Sequence, residues 1–284
     1  MASLTGCALL RPAGPSEKEL AAQSRRLSQW GMVALDNGRF EQAENYFQQA
    51  HEICPTNACA CRHYADTLWR RGETEEAVAT MRRAVALSGG DPALFVALGR
   101  MQYALGNNPA ALKDADRALA GDPKLASAWT LKADVLYEQE RLEDALVAYH
   151  RALSLGETGP QTQQITARIY ARQGRHRRAY SAVAASLDRY PKGAEPPELL
   201  MMAGQSLAAL GRYDRAIDTL LAATRREGAG PECFCQLAEV SLLAGREADA
   251  RWAIGEALAQ SPGFPPALEL AAKMPSGPTR VARR

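Results

Sequence analysis

An alanine recurs at Ala43, Ala77, Ala111, Ala145, Ala179, Ala216 and Ala250, and every step is 34 residues except one of 37. Other columns keep the same register. Twelve residues before each alanine stands Gly31, Ala65, Gly99, Ala133, Ala167, Gly204 or Ala238, and seven residues after it Ala50, Ala84, Ala118, Ala152, Ser186, Ala223 or Ala257. Five residues before it lies Gly38, Gly72, Gly106, Glu140, Gly174, Gly211 or Gly245, and each unit closes on Pro55, Gly89, Pro123, Glu157, Pro191, Gly228 or Pro262. A period of this length decides the architecture before any local propensity does.

The columns have a mechanical reading. The glycine column ends one helix, and the proline or glycine column ends the next. Between the breaks run segments of about 13 residues with apolar side chains at helical spacing. Each unit is therefore a helix, a tight turn and an antiparallel helix. Small side chains at fixed points let the two backbones approach. A single pair cannot bury its apolar face, so units must stack.

The period, the small-residue columns and the closing proline resemble the tetratricopeptide repeat family, carried best by "LGRMQYALGNNPAALKDADRALAGDP" at 98–123 and "GRYDRAIDTLLAA" at 211–223. Trp129, Tyr149 and Ala152 carry it in the fourth unit. The fold expected is all-α, a right-handed α-solenoid with units at 24–57, 58–91, 92–125, 126–159, 160–193, 197–230 and 231–264. Ser16 and Glu19 have capping-box spacing, so the helical domain is expected over 16–274, with 265–274 as a closing helix. Residues 1–15 read as a tether and 275–284 as a flexible basic tail. Glu140 and Glu157 replace both breakers of the fourth unit. Residues 194–196 are extra, and the stack is expected to kink or adjust its pitch there, with unfolding that departs from two-state as the halves separate near 191–197.

Composition narrows function. Hydrophobic residues make up 46% and charged residues 23%, the balance of a folded domain. A net charge of +2 gives no general attraction to nucleic acid, and no apolar run is long enough to span a bilayer. The four histidines, His51, His63, His150 and His176, fall in different units with no nucleophile or phosphate-loop pattern around them, so neither an enzyme nor a cofactor is expected. His51 and His150 read as surface residues. Cys54, Cys59, Cys61 and His63 match no common zinc spacing. The cysteines read as small apolar filler, with a disulfide from Cys54 to Cys59 or Cys61 as the alternative. Cys233 and Cys235 are too close along a helix to pair without strain.

The resemblance implies that the first helix of each unit lines a concave groove. Trp69, Tyr103 and Tyr137 occupy one place in three successive units and would form an aromatic ladder. Arg62, Asp66, Arg70, Arg100, Asp134, Arg168 and Arg172 fall on the same faces. Platforms flanked by guanidinium groups suit an extended peptide with apolar anchors and some carboxylates. Packing of the aromatics against neighbouring units is the competing explanation. Some family members clamp a chaperone's terminal carboxylate with lysine and asparagine; Ser28, Met32, Arg62 and Asp66 stand in those places here, so that specialisation is not expected. The functions left are a protein-binding adaptor and a structural spacer or self-association module. The pattern specifies neither the partner nor an oligomeric state.

At the N-terminus, Leu4-Thr5-Gly6-Cys7 resembles the cleavage box of bacterial lipoproteins, although no basic and apolar segment precedes it. If the start is truncated and the chain begins upstream, lipidation at Cys7 is the one route to a membrane and would make an envelope adaptor; otherwise a cytoplasmic one is expected. The columns themselves give the first prediction. Ala111→Leu or Ala216→Leu destabilises by about 1–3 kcal/mol through overpacking, and a leucine at an exposed position such as Gln173 is near neutral, as thermal melts would show.

Overall fold

The structure, a computed structural model, describes residues 15–157 and 159–274. Among them are fifteen helices and no strand. Fourteen helices form antiparallel pairs: α1 (Glu17–Asp36) with α2 (Phe40–Ile53), α3 (Ala58–Arg70) with α4 (Thr74–Leu87), α5 (Pro92–Ala104) with α6 (Asn108–Gly121), and α7 (Ala126–Glu138) with α8 (Leu142–Ser154). There follow α9 (Pro160–Arg172) with α10 (His176–Leu187), α11 (Pro197–Ala209) with α12 (Tyr213–Thr224), and α13 (Pro231–Leu243) with α14 (Glu247–Gln260). The last helix, α15 (Pro265–Lys273), packs on α13 and α14. Ser16 and Glu19 form a complete capping box at the start of α1. The lipobox-like Cys7 and the basic tail lie outside the described residues.

The small-residue columns are the contact points. Ala43, Ala77, Ala111, Ala145, Ala179, Ala216 and Ala250 are all buried, as are the columns from Ala50 to Ala257 and from Gly31 to Ala238. Three glycines in the last of these have no room for a methyl group. A Cβ on Gly31 would come within 2.5 Å of the Phe47 ring, one on Gly99 within 2.6 Å of Leu131, and one on Gly204 within 2.6 Å of Leu220. Four residues after each recurring alanine, a second column interlocks from the other side: Phe47, Met81, Ala115, Tyr149, Val183, Leu220 and Ile254, all buried.

Two compact units divide the chain between Gly156 and Glu157. The first holds α1–α8 and the second α9–α15. This boundary does not coincide with 191–197, the stretch expected to separate on unfolding. In the second unit α10 packs on α11 across that stretch, burying Val183 with Leu199 and Ala203. The insertion is tied down by the Glu195 carboxylate, which accepts from Arg226 at 2.8 Å and from the Gly193 amide at 2.7 Å. Gln173, expected to be exposed, is instead half-buried at the end of α9, so exposed Ala120 is the better control for the leucine substitutions.

Every glycine of the turn column has a left-handed backbone, with φ between 69° and 83°. Glu140 adopts the same conformation, φ 56°, the one positive-φ non-glycine residue among those described. The turn geometry therefore prevails over the residue. A side chain there costs about 1–2 kcal/mol, and glycine's extra freedom in the unfolded chain returns only about 0.4–1. Glu140→Gly is accordingly expected to stabilise the chain by about 0.5–1 kcal/mol in denaturant titration. Glu140→Ala keeps the strain and gains nothing, and a glycine variant no more stable than the alanine one would contradict this account.

Candidate functional site

On the first helices of the first unit, Trp69, Tyr103 and Tyr137 are the second-to-last residues of α3, α5 and α7. Each is half-buried, next to a residue that is almost wholly buried: Leu68, Gln102 and Leu136. Trp69 packs on the core of α3, α4 and α5, and Tyr103 on that of α5, α6 and α7. Trp69 and Tyr103 thus contribute one side to packing, and all three aromatics keep part of their surface accessible.

The charged residues divide by role. Arg62, Asp66 and Arg70 follow one another at four-residue spacing on α3, the arginines exposed and the aspartate half-buried. Burial raises the Asp66 carboxyl, and the two guanidinium groups oppose that rise. Arg100 is exposed on α5. Asp134 is partly structural, because it accepts the Tyr149 hydroxyl at 2.6 Å, and Tyr149 is fully buried on α8. Burial first, and then this carboxylate, push the Tyr149 phenol far above its usual range. Tyr103 is pushed up to about 12, chiefly by burial and then by Glu138, whose carboxylate its hydroxyl meets, with Asp134 and Tyr137 close by. Glu138 escaped the sequence reading, although it lies four residues from Asp134 on the same helical face. Arg168 and Arg172 are exposed on α9 in the second unit, so the structure describes them apart from the ladder.

The cysteine cluster is not a disulfide. Cys54, Cys59 and Cys61 are free, as are Cys233 and Cys235. Cys61 is fully buried, its thiol directed to the Pro55 carbonyl at 3.2 Å and raised above its ordinary value by burial. His51 is no surface residue; it is half-buried and stacked on Tyr64, 4.7 Å between ring centres, with its Nδ1 3.6 Å from Cys61 Sγ. His150 is exposed. Ser28 and Met32 line a cavity of about 550 Å³ with Cys59 and His63, and the Ser28 hydroxyl is buried without a partner among the described residues.

Tetratricopeptide repeat sequence profiles match residues 34–101, 96–160 and 201–273. The chain belongs to the tetratricopeptide repeat family. Members of this family serve as protein–protein interaction scaffolds, and at that level the function of the chain follows. Residues 138–223 also match the profile of anaphase-promoting complex, cyclosome, subunit 3. Outer dynein arm-docking complex subunit 4 of Mus musculus is 32% identical over 90 residues, 32% of this chain but 14% of that protein. The human counterpart is 33% identical over the same length and matched over 13% of its own. The chain thus aligns with about a seventh of these curated relatives. Among solved structures, the C-terminal part of a repeat protein from Cytophaga hutchinsonii superposes with a TM-score of 0.67 at 12% identity, covering 85% of this chain and 98% of that one. YrrB, described as a repeat protein with an unusual peptide-binding site, gives 0.62 at 18% identity over 68% of this chain and 98% of its own. At such identities the likeness is one of fold.

His63 yields a prediction. Its ring stacks on Phe47 at 4.6 Å, and its pKa is held down to about 4, first by burial and then by Arg62 and Arg70. In the unfolded chain the imidazole takes up a proton near its ordinary value of 6.5. Between these values the unfolded state binds more protons, so stability is lost as pH falls through that window. His63→Phe keeps a ring against Phe47 and removes the titration. Its melting temperature should fall less than the wild type's between about pH 7 and about pH 5, and equal falls would contradict the assignment.

Proposed function

We propose that the chain is a non-enzymatic adaptor that holds an extended segment of a partner protein along the first helices of its pairs. In the first unit, Trp69, Tyr103 and Tyr137 serve as apolar platforms. Arg62, Arg70 and Arg100 meet the partner's carboxylates, while Asp66, Asp134 and Glu138 order its backbone amides and cations. Arg168 and Arg172 do the corresponding work in the second unit. One observation carries this reading: three aromatics in equivalent places remain half-accessible beside buried neighbours. Aromatic and arginine side chains dominate binding energetics where a partner covers them. The peptide-binding site described for YrrB supports the same use of the fold. No nucleic acid is invoked.

A structural spacer is the competing reading, and substitution separates the two. Trp69→Ala/Tyr103→Ala/Tyr137→Ala is expected to abolish capture of crosslinked native partners while circular dichroism stays unchanged. An unchanged partner set would favour the spacer. Anchoring at Cys7 rests on the sequence Leu4-Thr5-Gly6-Cys7 alone. It requires that Cys7→Ser move the full gene product from the membrane to the soluble fraction.

A further inference from the structure

Charge is spread unevenly along this chain. Residues 160–193 carry seven basic side chains and one acid, Asp188, a net of +6; the whole chain is +2, so the remainder sums to −4. Five of the seven are arginines within eleven residues: Arg168, Arg172, Arg175, Arg177 and Arg178. They run off the end of α9, round the turn and into the first turn of α10, and all are exposed. Helices α2, α4, α8, α12 and α14 open on acids, whereas α10 opens on His176, Arg177 and Arg178. Cations at that end oppose the helix dipole, so folding alone does not account for them. Arg168, Arg177 and Arg178 make no ion pair among the described residues.

Beside the arginines lies a cavity of about 400 Å³ with Arg168 and His176 in its lining. Met201 and Met202 give it an apolar, adaptable wall, Gln205 and Gln236 supply amides, and the exposed Glu198 adds one carboxylate, which the segment's own acids must face away from. The Gln236 Oε1 is buried with no hydrogen-bond partner among the described residues.

We infer that this surface binds an acidic polypeptide segment carrying an aliphatic side chain. The aliphatic group seats against Met201 and Met202, its neighbouring carboxylates meet Arg168, Arg177 and Arg178, and a backbone amide of the segment donates to Gln236. Charge complementarity sets the partner's sign, and the methionine wall sets its apolar anchor. A nucleic acid fits less well. Tyr170 is almost wholly buried, and the guanidinium groups of Arg178 and Arg215 lie over the rings of Tyr170 and Tyr180 at 5.8 and 5.7 Å, each taking up a face that base stacking would use. The net −4 of the rest of the chain also repels a long polyanion. The inference deepens the proposed function, which already assigns Arg168 to a partner's carboxylates, and it draws on the second unit without the aromatic ladder.

The test pans a phage-displayed library of random peptides on the full chain at low salt, then measures the binding of a synthetic selected peptide by fluorescence anisotropy. Selected sequences should place aspartate or glutamate next to leucine, isoleucine, valine or methionine. Binding should weaken at least about tenfold in Arg177→Glu/Arg178→Glu. Arg25→Glu/Arg26→Glu changes net charge equally on α1 and should leave binding within about twofold, with both variants folded by circular dichroism. Selection without acids, equal loss in the two variants, or tighter binding of a single-stranded oligonucleotide than of the peptide would overturn the proposal.

Discussion

The close approach of two helix backbones through small side chains is the constraint on which the rest of the structure depends. Gly31, Gly99 and Gly204 show it most sharply, because the neighbouring side chain occupies the space a methyl group would need. Phe47 fills the space above Gly31 and stacks in turn on His63 of the next pair. A missing Cβ on α1 therefore sets the position of an aromatic contact to α3. Protein interiors are packed too densely to absorb an added methylene without strain, so these columns hold the pairing in register.

Because the contact columns occupy one face of each helix, the other faces are free to vary in charge and shape. The first unit keeps half-accessible aromatics and mixed charge on its first helices, while the fifth pair concentrates arginine at its turn. Such a division of labour belongs to repeat architectures, in which neighbour packing provides stability and the remaining surface carries recognition.

Much of this was legible in the sequence because the steric demands fall on single residues. Glycine at the turn is dictated by a positive φ, and alanine at the contact by distance, so both leave periodic marks. Glu140 was visible as a departure, but that it would still take the left-handed conformation was not, because the turn outweighs the residue. The extra residues 194–196 signalled a break that packing closes over through Glu195 and Arg226. The observed division lies instead beside Glu157, where the sequence also departs from its pattern. Asp134 read as a groove acid because its tie to Tyr149 crosses from one helix of the pair to the other. The free cysteines were ambiguous because spacing alone cannot tell a buried filler from a pairing partner.

The central claim is that the three small-residue columns, from Gly31 to Ala238, Ala43 to Ala250 and Ala50 to Ala257, are steric requirements in both units. A saturation substitution scan of the full chain, read out as folded abundance, tests it most directly. The account predicts that these positions accept glycine, alanine or serine and reject larger side chains, with Gly31, Gly99 and Gly204 the most restrictive, while exposed neighbours on the same helices accept most residues. Comparable tolerance of large side chains at column and exposed positions would contradict it.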